Sequence, residues 1–205
     1  GGNFSTHEGG VWNISAETAA KADGAGSRVS LGAGKIQSTT LAEASNGGTI
    51  SFFVPNDTAA TEYVGDVKVN DAASTVTLGI ATEGSTWTGG LTNHGGTFNL
   101  GLQNGGVWNN TGKEEANISL LDATDTGNGV IFQNKDSGGI TVDRFRGHAL
   151  VLYSHSAADP TDILGGDVTV KKADANSFLT LRTDRSGINM GDYHGVENVL
   201  DALAK

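Results

Sequence analysis

The chain of 205 residues has no cysteine, and this absence excludes disulfides, thiolate metal sites and thiol nucleophiles. A chain that crosses an oxidising compartment unfolded benefits from lacking cysteine, because no disulfide can lock it early. Proline is also scarce, with 2 residues, which argues against a proline-rich disordered linker. Apolar residues make up 37% and aromatic residues 6%. These low fractions favour a thin core with much of its stability in backbone hydrogen bonds.

Basic residues are few as well. There are 13 Lys and Arg against 23 Asp and Glu, which gives a formal net charge of −10. A protein that neutralises phosphates needs a basic face, and the densest basic group, Asp143-Arg144-Phe145-Arg146, itself includes an acid. We therefore exclude nucleic acid and anionic membranes as partners, and we interpret the acidity as a solvated surface.

Long apolar runs are missing too. No run approaches the ~18 residues of a membrane span, so we expect no direct membrane insertion. The opening residues, GGNFSTHEGG, lack a basic and then apolar leader, so no signal peptide is predicted. The last residues, ENVLDALAK, have the pattern of a helix interior, and we expect the chain to be a piece of a longer protein.

Glycine is abundant, with 31 residues, and it recurs as Gly-Gly before short alternating segments. The recurring units are GGVWNIS, GGTISFF, GGTFNLG, GGVWNNT, GGITVDR and GGDVTVK. Repetition of one unit indicates a repeat architecture. Glycine at each corner of a coil supplies positive φ or close approach to the coil above, and Asn is the next most tolerant residue there.

Short segments that alternate apolar and polar residues predict strands throughout the chain. Their spacing of roughly 8–12 residues fits a sandwich, a barrel or a solenoid. Short strands, the recurring unit and slender core residues favour an all-β parallel β-helix, with about nine coils of roughly 20–25 residues. The predicted strands are 11–15, 49–54, 66–69, 74–80, 97–102, 117–121, 129–132, 139–142, 148–154, 167–170 and 178–183. The segment 24–35 is interpreted as a loop, because its glycines lack the P-loop spacing.

One helix is predicted, at the end of the chain. Val196, Val199, Leu200 and Leu203 form one apolar stripe along it. We therefore divide the chain into β-helix repeats over 1–190 and a helix over 191–205. This helix either covers the open end of the rod, links to another module, or mediates self-association.

The segment Trp87–Thr183 resembles the passenger domains of bacterial autotransporters of the pertactin and AIDA-like adhesin kind. The resemblance lies in STWTGGLTNHGGTFNLGLQNGGVWNNTG, where two tryptophans flank Asn-rich Gly-Gly corners. Residues 140–183 look like the closing region that caps such a β-helix and seeds its folding, with Asn176 where the family commonly has glycine. The resemblance implies a right-handed parallel β-helix displayed outside the outer membrane of a Gram-negative bacterium, tethered to a translocator outside this segment.

Paired carboxylates are the first candidates for chemistry, because secreted β-helices that cleave polysaccharides use two acids. The candidate pairs are Asp122 with Asp125, Asp159 with Asp162, and Asp184 with Asp192. Each lies in a turn-forming sequence, so we interpret all six as turn residues. Asp122, Asp125 and Asn128 also offer oxygens to a weak calcium site, but the spacing does not match an EF-hand loop. We predict no catalytic, cofactor-binding or metal-binding residue, and no cofactor.

Histidine, tryptophan and asparagine give three further sets of candidates. The histidines form no metal-binding or catalytic motif, and we interpret them as solvated or corner residues: His7, His94, His148, His155 and His194. We expect the tryptophans to fill the coil interior or corners, although exposed ones would stack on sugars: Trp12, Trp87 and Trp108. Asn-x-Ser/Thr sites are chance in a bacterial protein and glycan sites in a secreted eukaryotic one: Asn3, Asn13, Asn56, Asn109 and Asn117.

Three functions remain after this search. The first is a non-catalytic adhesin or stalk, whose long regular face multiplies weak polar contacts in self-association or in attachment to a host or surface polymer. The second is a polysaccharide-cleaving enzyme, which needs acids that converge on one groove. The third is an inert spacer.

Overall fold

The structure, a computed structural model, describes residues 2–6, 12–53, 59–124, 128–159 and 161–183. Within these ranges the chain is a parallel β-solenoid of about six turns and contains no helix. The predicted fold class is thus confirmed at the level of a parallel β-solenoid, whereas the predicted helix over 191–205 lies outside the described residues. The strands are β1 (Asn3–Ser5), β2 (Asn13–Asp23), β3 (Arg28–Leu31), β4 (Lys35–Ser45), β5 (Thr49–Phe52), β6 (Glu62–Val69), β7 (Thr75–Ile80), β8 (Thr86–Gly89), β9 (Leu91–Asn93), β10 (Thr97–Leu102), β11 (Val107–Asn110), β12 (Ala116–Ala123), β13 (Gly129–Gln133), β14 (Ile140–His155), β15 (Ile163–Leu164), β16 (Val168–Val170) and β17 (Phe178–Thr183).

The coils have three faces, because the longer strands bend at corners and contribute to more than one face. The first face stacks β1, β3, β5, β7, β10, the end of β12 and the middle of β14. The second face stacks the starts of β2, β4 and β6, then β8, β11, β13, the end of β14 and β17. The third face stacks the ends of β2, β4 and β6 with β9, and the starts of β12 and β14 with β16.

Neighbouring strands in these stacks run parallel, as coils wound along one axis require. One antiparallel pair departs from this pattern, where Ser154 and His155 of β14 pair with Leu164 and Ile163 of β15. This pair closes an excursion of the chain between the second and third faces. The coil therefore accommodates an insertion without interrupting the parallel strand pairing of the second face, because β17 still stacks on β14 after the insertion.

Most coils have the predicted length, with stacked partners such as Ile131 and Val151 lying 20 residues apart. Two steps are longer, at 27 residues between Lys35 and Glu62 and 30 between Val151 and Leu181. The described residues form about six turns, whereas the expectation of about nine coils was for all 205 residues.

Side chains of the same kind stack in columns inside the coil. On the second face, Tyr63, Trp87 and Trp108 lie directly above one another, and Ile131 and Val151 continue the column. On the first face the corresponding column is Leu31, Phe52, Leu78, Leu100, Leu121 and Phe145. The residues of both columns are buried. The columns follow from the period of two in each strand, which turns alternate side chains inward.

The Asn-Gly-Gly corners show why the chain returns to glycine. At 104–106, Asn104 and Gly105 have φ of 51° and 80°, and the Gly106 amide donates to the Gln103 carbonyl at 2.8 Å. Two consecutive positive φ values define a tight turn that suits Asn-Gly. A Cβ on Gly106 would collide with the carbonyl oxygen of Ile80 in the coil below. The first glycine thus permits the turn and the second permits the close stacking of coils. Asn176, with φ of 60°, likewise adopts the conformation of glycine.

Seven of the described strands are absent from the sequence prediction: β1, β3, β4, β8, β9, β11 and β15. β3 lies inside 24–35, so the interpretation of that segment as a loop is wrong. β4 runs through KIQSTTLAEAS, where small residues supply the core. Ala42 and Ala44 are buried and stack on Ala20 and Ala22 of β2.

Candidate functional site

Asp122 is held by an ion pair between coils. Its Oδ2 lies 2.6 Å from Nη2 of Arg146, and its Oδ1 accepts hydrogen bonds from the backbone and side chain of Thr124. Burial acts to raise the pKa of the Asp122 carboxyl, but the Arg146 and Thr124 contacts outweigh it and lower that pKa. The group stays ionised and paired, which suits cohesion between coils rather than proton transfer.

Asp159 closes its own turn. Its Oδ1 accepts hydrogen bonds from the amide of Thr161 at 2.9 Å and from its hydroxyl at 2.7 Å. The hydrogen bond from the Thr161 side chain lowers the pKa of the Asp159 carboxyl. The amide of Asp162 donates to the Asp159 carbonyl at 3.0 Å. For Asp159 the interpretation as a turn residue is therefore supported by its contacts.

The remaining acid candidates either lie outside the described residues or are not grouped at one site. Asp125 and the Asp184–Asp192 pair lie outside the described residues, so the suggested calcium site is described only at Asp122 and Asn128. Within the described ranges, no group of three or more His, Asp or Glu side chains is placed to hold a metal ion.

Three histidines lie at the surface or at corners. The backbone amide of His94 donates to the Val69 carbonyl at 2.8 Å. The His148 ring packs edge-on against Phe178, with centroids 5.2 Å apart. Nδ1 of His155 lies 3.0 Å from the carbonyl oxygen of Ser156. These three residues are on separate parts of the coil, while His7 and His194 lie outside the described residues.

Trp87 and Trp108 fill the coil interior, as predicted. Their rings are stacked, with centroids 4.8 Å apart and an interplanar angle of 6°. Each indole nitrogen donates to a carbonyl of the preceding coil, Trp87 to Gly65 at 2.9 Å and Trp108 to Gly89 at 3.0 Å. Both side chains are fully buried, so neither is available to a sugar.

Trp12 corrects the prediction that all three tryptophans share a structural role. Its side chain is 49% exposed. Its carbonyl accepts hydrogen bonds from the amides of Gly34 and Lys35, and the inward position above Ile36 belongs to Ile14. Trp12 and Trp108 therefore share the sequence GGVWN but occupy different positions in their coils.

The Asn-x-Ser/Thr sites differ in exposure. Asn3 and Asn13 are exposed. Asn109 accepts a hydrogen bond from Nδ2 of Asn134 at 2.5 Å, and the Oδ1 of Asn117 is buried. The hydrogen bond of Asn109 to the next coil and the burial of the Asn117 oxygen argue against glycan attachment at these two sites. Asn56 lies outside the described residues.

Ion pairs join successive coils along the surface. Among the described residues, five pairs have N–O distances of 2.6–3.2 Å: Lys21–Glu43, Lys35–Glu62, Arg144–Asp174, Arg146–Asp122 and Lys171–Asp143. Most are substantially exposed, and exposed pairs contribute only about 0–1 kcal/mol each. These pairs neutralise basic side chains within the molecule. Because acidic residues outnumber basic ones, the surface keeps a net negative charge.

An uncharged polar array crosses three successive coils on the surface. On the outer side of the first face, Thr49, Thr75 and Thr97 form one column, and Ser51, Thr77 and Asn99 form a second. We call these six residues the polar ladder. Neighbours lie about 4.8 Å apart between coils and about 6.7 Å apart along a strand. Two residues further along β7 and β10, Gly79 pairs with Gly101, and these glycines add no side chains to the surface beside the second column.

The polar ladder offers hydroxyl and amide groups, which both donate and accept hydrogen bonds. This arrangement suits binding to an extended polar surface through repeated contacts, and it contains no acid or base for catalysis. The sequence analysis missed it. The signal lies in the matching triplets TIS, TVT and TFN at 49–51, 75–77 and 97–99, whose outer residues are all small and polar.

The parallel ladders and three stacked faces define the chain as a parallel β-solenoid. Comparison of the chain with protein-family models, with curated proteins and with solved structures returned no significant match. The part of the chain that the structure describes contains no helix long and apolar enough to cross a membrane.

Proposed function

We propose that this chain is a rod segment of a bacterial cell-surface protein and acts as a non-catalytic adhesin or stalk. It attaches through the polar ladder, either to a second rod or to a polymer on a host or other surface. The observation that carries the proposal is the ladder itself, six small polar residues in two straight columns. Each contact is weak, and affinity comes from their number along the rod and across molecules.

The contacts of the candidate acids favour this proposal over an enzyme. A glycoside-cleaving site needs one carboxyl group protonated and another ionised in the same groove. Asp122 is instead paired with Arg146 between coils, and Asp159 is bonded within its own turn. Their carboxyl pKa values are lowered, whereas a general acid needs a raised pKa.

The resemblance to autotransporter passengers extends the proposal to its setting. We place the rod outside a Gram-negative outer membrane, tethered to a translocator beyond this segment, and we expect a right-handed coil with a helix over 191–205. A right-handed sense agrees with the strong preference of parallel strand connections. The absence of cysteine suits a chain that crosses an oxidising periplasm unfolded.

The test is display of the chain on a non-adherent bacterium, with scoring of clumping and surface attachment. The double variant Thr75→Glu with Thr77→Glu places two charges on the ladder. The matched control is Thr86→Glu with Thr88→Glu, the same change two residues apart on one strand of the second face. We expect clumping or attachment to fall several-fold in the ladder variant and to persist in the control.

Two results would overturn the proposal. One is an equal loss in both double variants at equal surface expression. The other is no clumping or attachment by the native chain together with release of sugar fragments from polysaccharide, which would favour an enzyme. Lack of attachment without such release would leave only the spacer.

A further inference from the structure

The outer side of the second face changes from polar to apolar along the rod. At β8 its outward residues are Thr86 and Thr88. In the later coils Val107, Val130 and Leu150 form one outward column, and Phe132 and Leu152 lie beside it. We call these last five residues the outer apolar patch.

These five side chains face away from the interior, because the residues that alternate with them are the buried ones. Trp108, Ile131 and Val151 point inward and are fully buried, whereas the residues of the patch are only half-buried. A strand that is apolar on both sides is typical of a sheet covered on both faces. A contiguous apolar patch on a protein surface marks an interaction site.

The C-terminal segment beyond the described residues is 184–205. It follows directly on Thr183, the last residue of β17, and β17 stacks on the strand that carries the end of the patch. Thr180 lies above Leu150, and Arg182 lies above Leu152. The chain therefore leaves the solenoid on the second face, one layer beyond the patch.

We propose that residues 195–205 dock as an amphipathic helix on the outer apolar patch, with the stripe of Val196, Val199, Leu200 and Leu203 against it. The stripe supplies an apolar side to match the apolar sheet surface, and a helix covering a sheet face is a standard two-layer packing. The proposal assigns this segment to the side of the rod rather than to its open end.

The dimensions agree with this placement. A helix over 195–205 is about 16 Å long at 1.5 Å per residue. The patch crosses the layers of β11, β13 and β14, which span about 10 Å between backbones and more with their side chains. Residues 184–194 reach up to about 36 Å when extended, which is more than the return to the patch requires.

Effective concentration favours this segment over a second copy of the chain. A second copy has to bind from solution, at whatever concentration the protein has there. A segment attached at Thr183 is instead present at an effective concentration in the range of about 1 mM or more. When other partners are present well below this concentration, the attached segment therefore occupies the patch in preference to them.

Cysteine pairs provide the test, because the native chain has no cysteine to interfere. In the full chain, Leu200→Cys is combined with Leu150→Cys on the patch. The matched pairs combine Leu200→Cys with Thr77→Cys on the first face, or with Leu181→Cys in the last described layer. Mild oxidation is followed by electrophoresis without reductant, which separates links within a chain from links between chains.

The proposal predicts a link within one chain for the Leu150→Cys pair and none for the Thr77→Cys pair. A link only with Leu181→Cys would place the segment over the open end and overturn it. Links only between chains would assign the patch to a second copy, and equal links at all three positions would show an undocked segment. Absence of any link would overturn the proposal as well.

A second measurement does not depend on disulfide geometry. In a chain carrying Phe132→Cys, a soluble thiol reagent reports exposure of the patch. Adding Leu200→Glu and Leu203→Glu is expected to speed labelling by about tenfold or more, because the docked helix is released. The control Asn198→Glu changes a residue outside the stripe and should leave the rate unchanged. Equal rates in all three chains would contradict docking.

Discussion

At the scale of single residues, Trp87 and Trp108 join neighbouring coils in two ways. Their stacked rings lie 4.8 Å apart, close to the spacing between strands, so each indole lies flat against the next. Each indole also donates to a carbonyl of the preceding coil, which satisfies a polar group that is buried in the core. Aromatic pairs of this kind add about 0.5–1.5 kcal/mol beyond burial.

Replacing Trp108 tests this contribution. Trp108→Ala leaves a large cavity and should lower the free energy of unfolding by about 3–5 kcal/mol. Trp12→Ala is the matched control, because Trp12 is 49% exposed and its loss should change stability by no more than about 0.5 kcal/mol. Chemical denaturation followed by far-UV circular dichroism measures both. Similar losses in the two variants would contradict the buried stack.

Tyr63 gives the fold a dependence on alkaline pH. Burial raises the pKa of its hydroxyl to about 12, and the hydrogen bond that the hydroxyl donates to the Ala33 carbonyl is lost on ionisation. An unfolded tyrosine titrates near pH 10. A raised pKa in the folded state means that the contribution of Tyr63 is complete below about pH 10 and is lost as pH rises towards 12.

Tyr63→Phe should therefore be less sensitive to alkali than the native chain. We expect its free energy of unfolding to be lower at neutral pH, because the bond to Ala33 is lost, and to fall less steeply above about pH 10. Tyr153, whose pKa burial also raises to about 12, keeps part of the native dependence. Parallel pH profiles for the native chain and the variant would contradict this assignment.

At the scale of elements, the corners determine how closely one coil lies on the next. At 46–48, Asn46 and Gly47 have φ of 54° and 83°, the same sequence of conformations as at 104–106. Gly48 and Gly106 both lie against a carbonyl group of the coil below. The second glycine of each pair is therefore required for stacking, and not for the turn.

Two glycine-to-alanine substitutions distinguish the stacking role of a corner glycine from the effect that any glycine-to-alanine change has on stability. Gly106→Ala places a Cβ on the Ile80 carbonyl, and we expect a loss of about 1–3 kcal/mol in the free energy of unfolding. In Gly101→Ala the nearest atom to the new Cβ is 3.8 Å away. That variant should be neutral or gain up to about 1 kcal/mol from a less flexible unfolded chain. A greater loss in Gly101→Ala than in Gly106→Ala would refute this account of the corners.

The sequence predicts elements well where large apolar residues alternate with polar ones. β7, β10 and β17 lie where TVTLGI, TFNLGL and FLTLRT predict them. The pattern fails in β4, because the consecutive residues Thr40, Leu41 and Ala42 are all buried and alanine is more typical of helices than of strands. A narrow coil nevertheless accommodates alanine, since Ala20 and Ala22 supply the matching small side chains in the layer below.

At the scale of the whole molecule, the recurring glycine unit predicts a repeat but not its layout. Alternation is the same in parallel and antiparallel strands, so the preference for a solenoid depended on the short strands, the recurring unit and the slender core residues. The length of individual coils could not be predicted from the sequence either. Corner insertions, such as that between Ser154 and Leu164, have no fixed sequence pattern. Asp159 closes its own turn, as its sequence indicated, whereas Asp122 lies in strand β12 and pairs with Arg146 of the neighbouring coil. The polar ladder could be found only from the register between coils.

The stacking of parallel coils is the claim on which the rest depends, and nuclear Overhauser contacts between backbone protons test it most directly. Antiparallel neighbours bring pairs of Hα atoms close together, whereas parallel neighbours do not. The solenoid predicts amide and Hα contacts that link Thr77 with the neighbours of Asn99, and Hα–Hα contacts only where β14 meets β15 among the described strands. Regular Hα–Hα contacts between consecutive strands, such as β7 and β8, would contradict it.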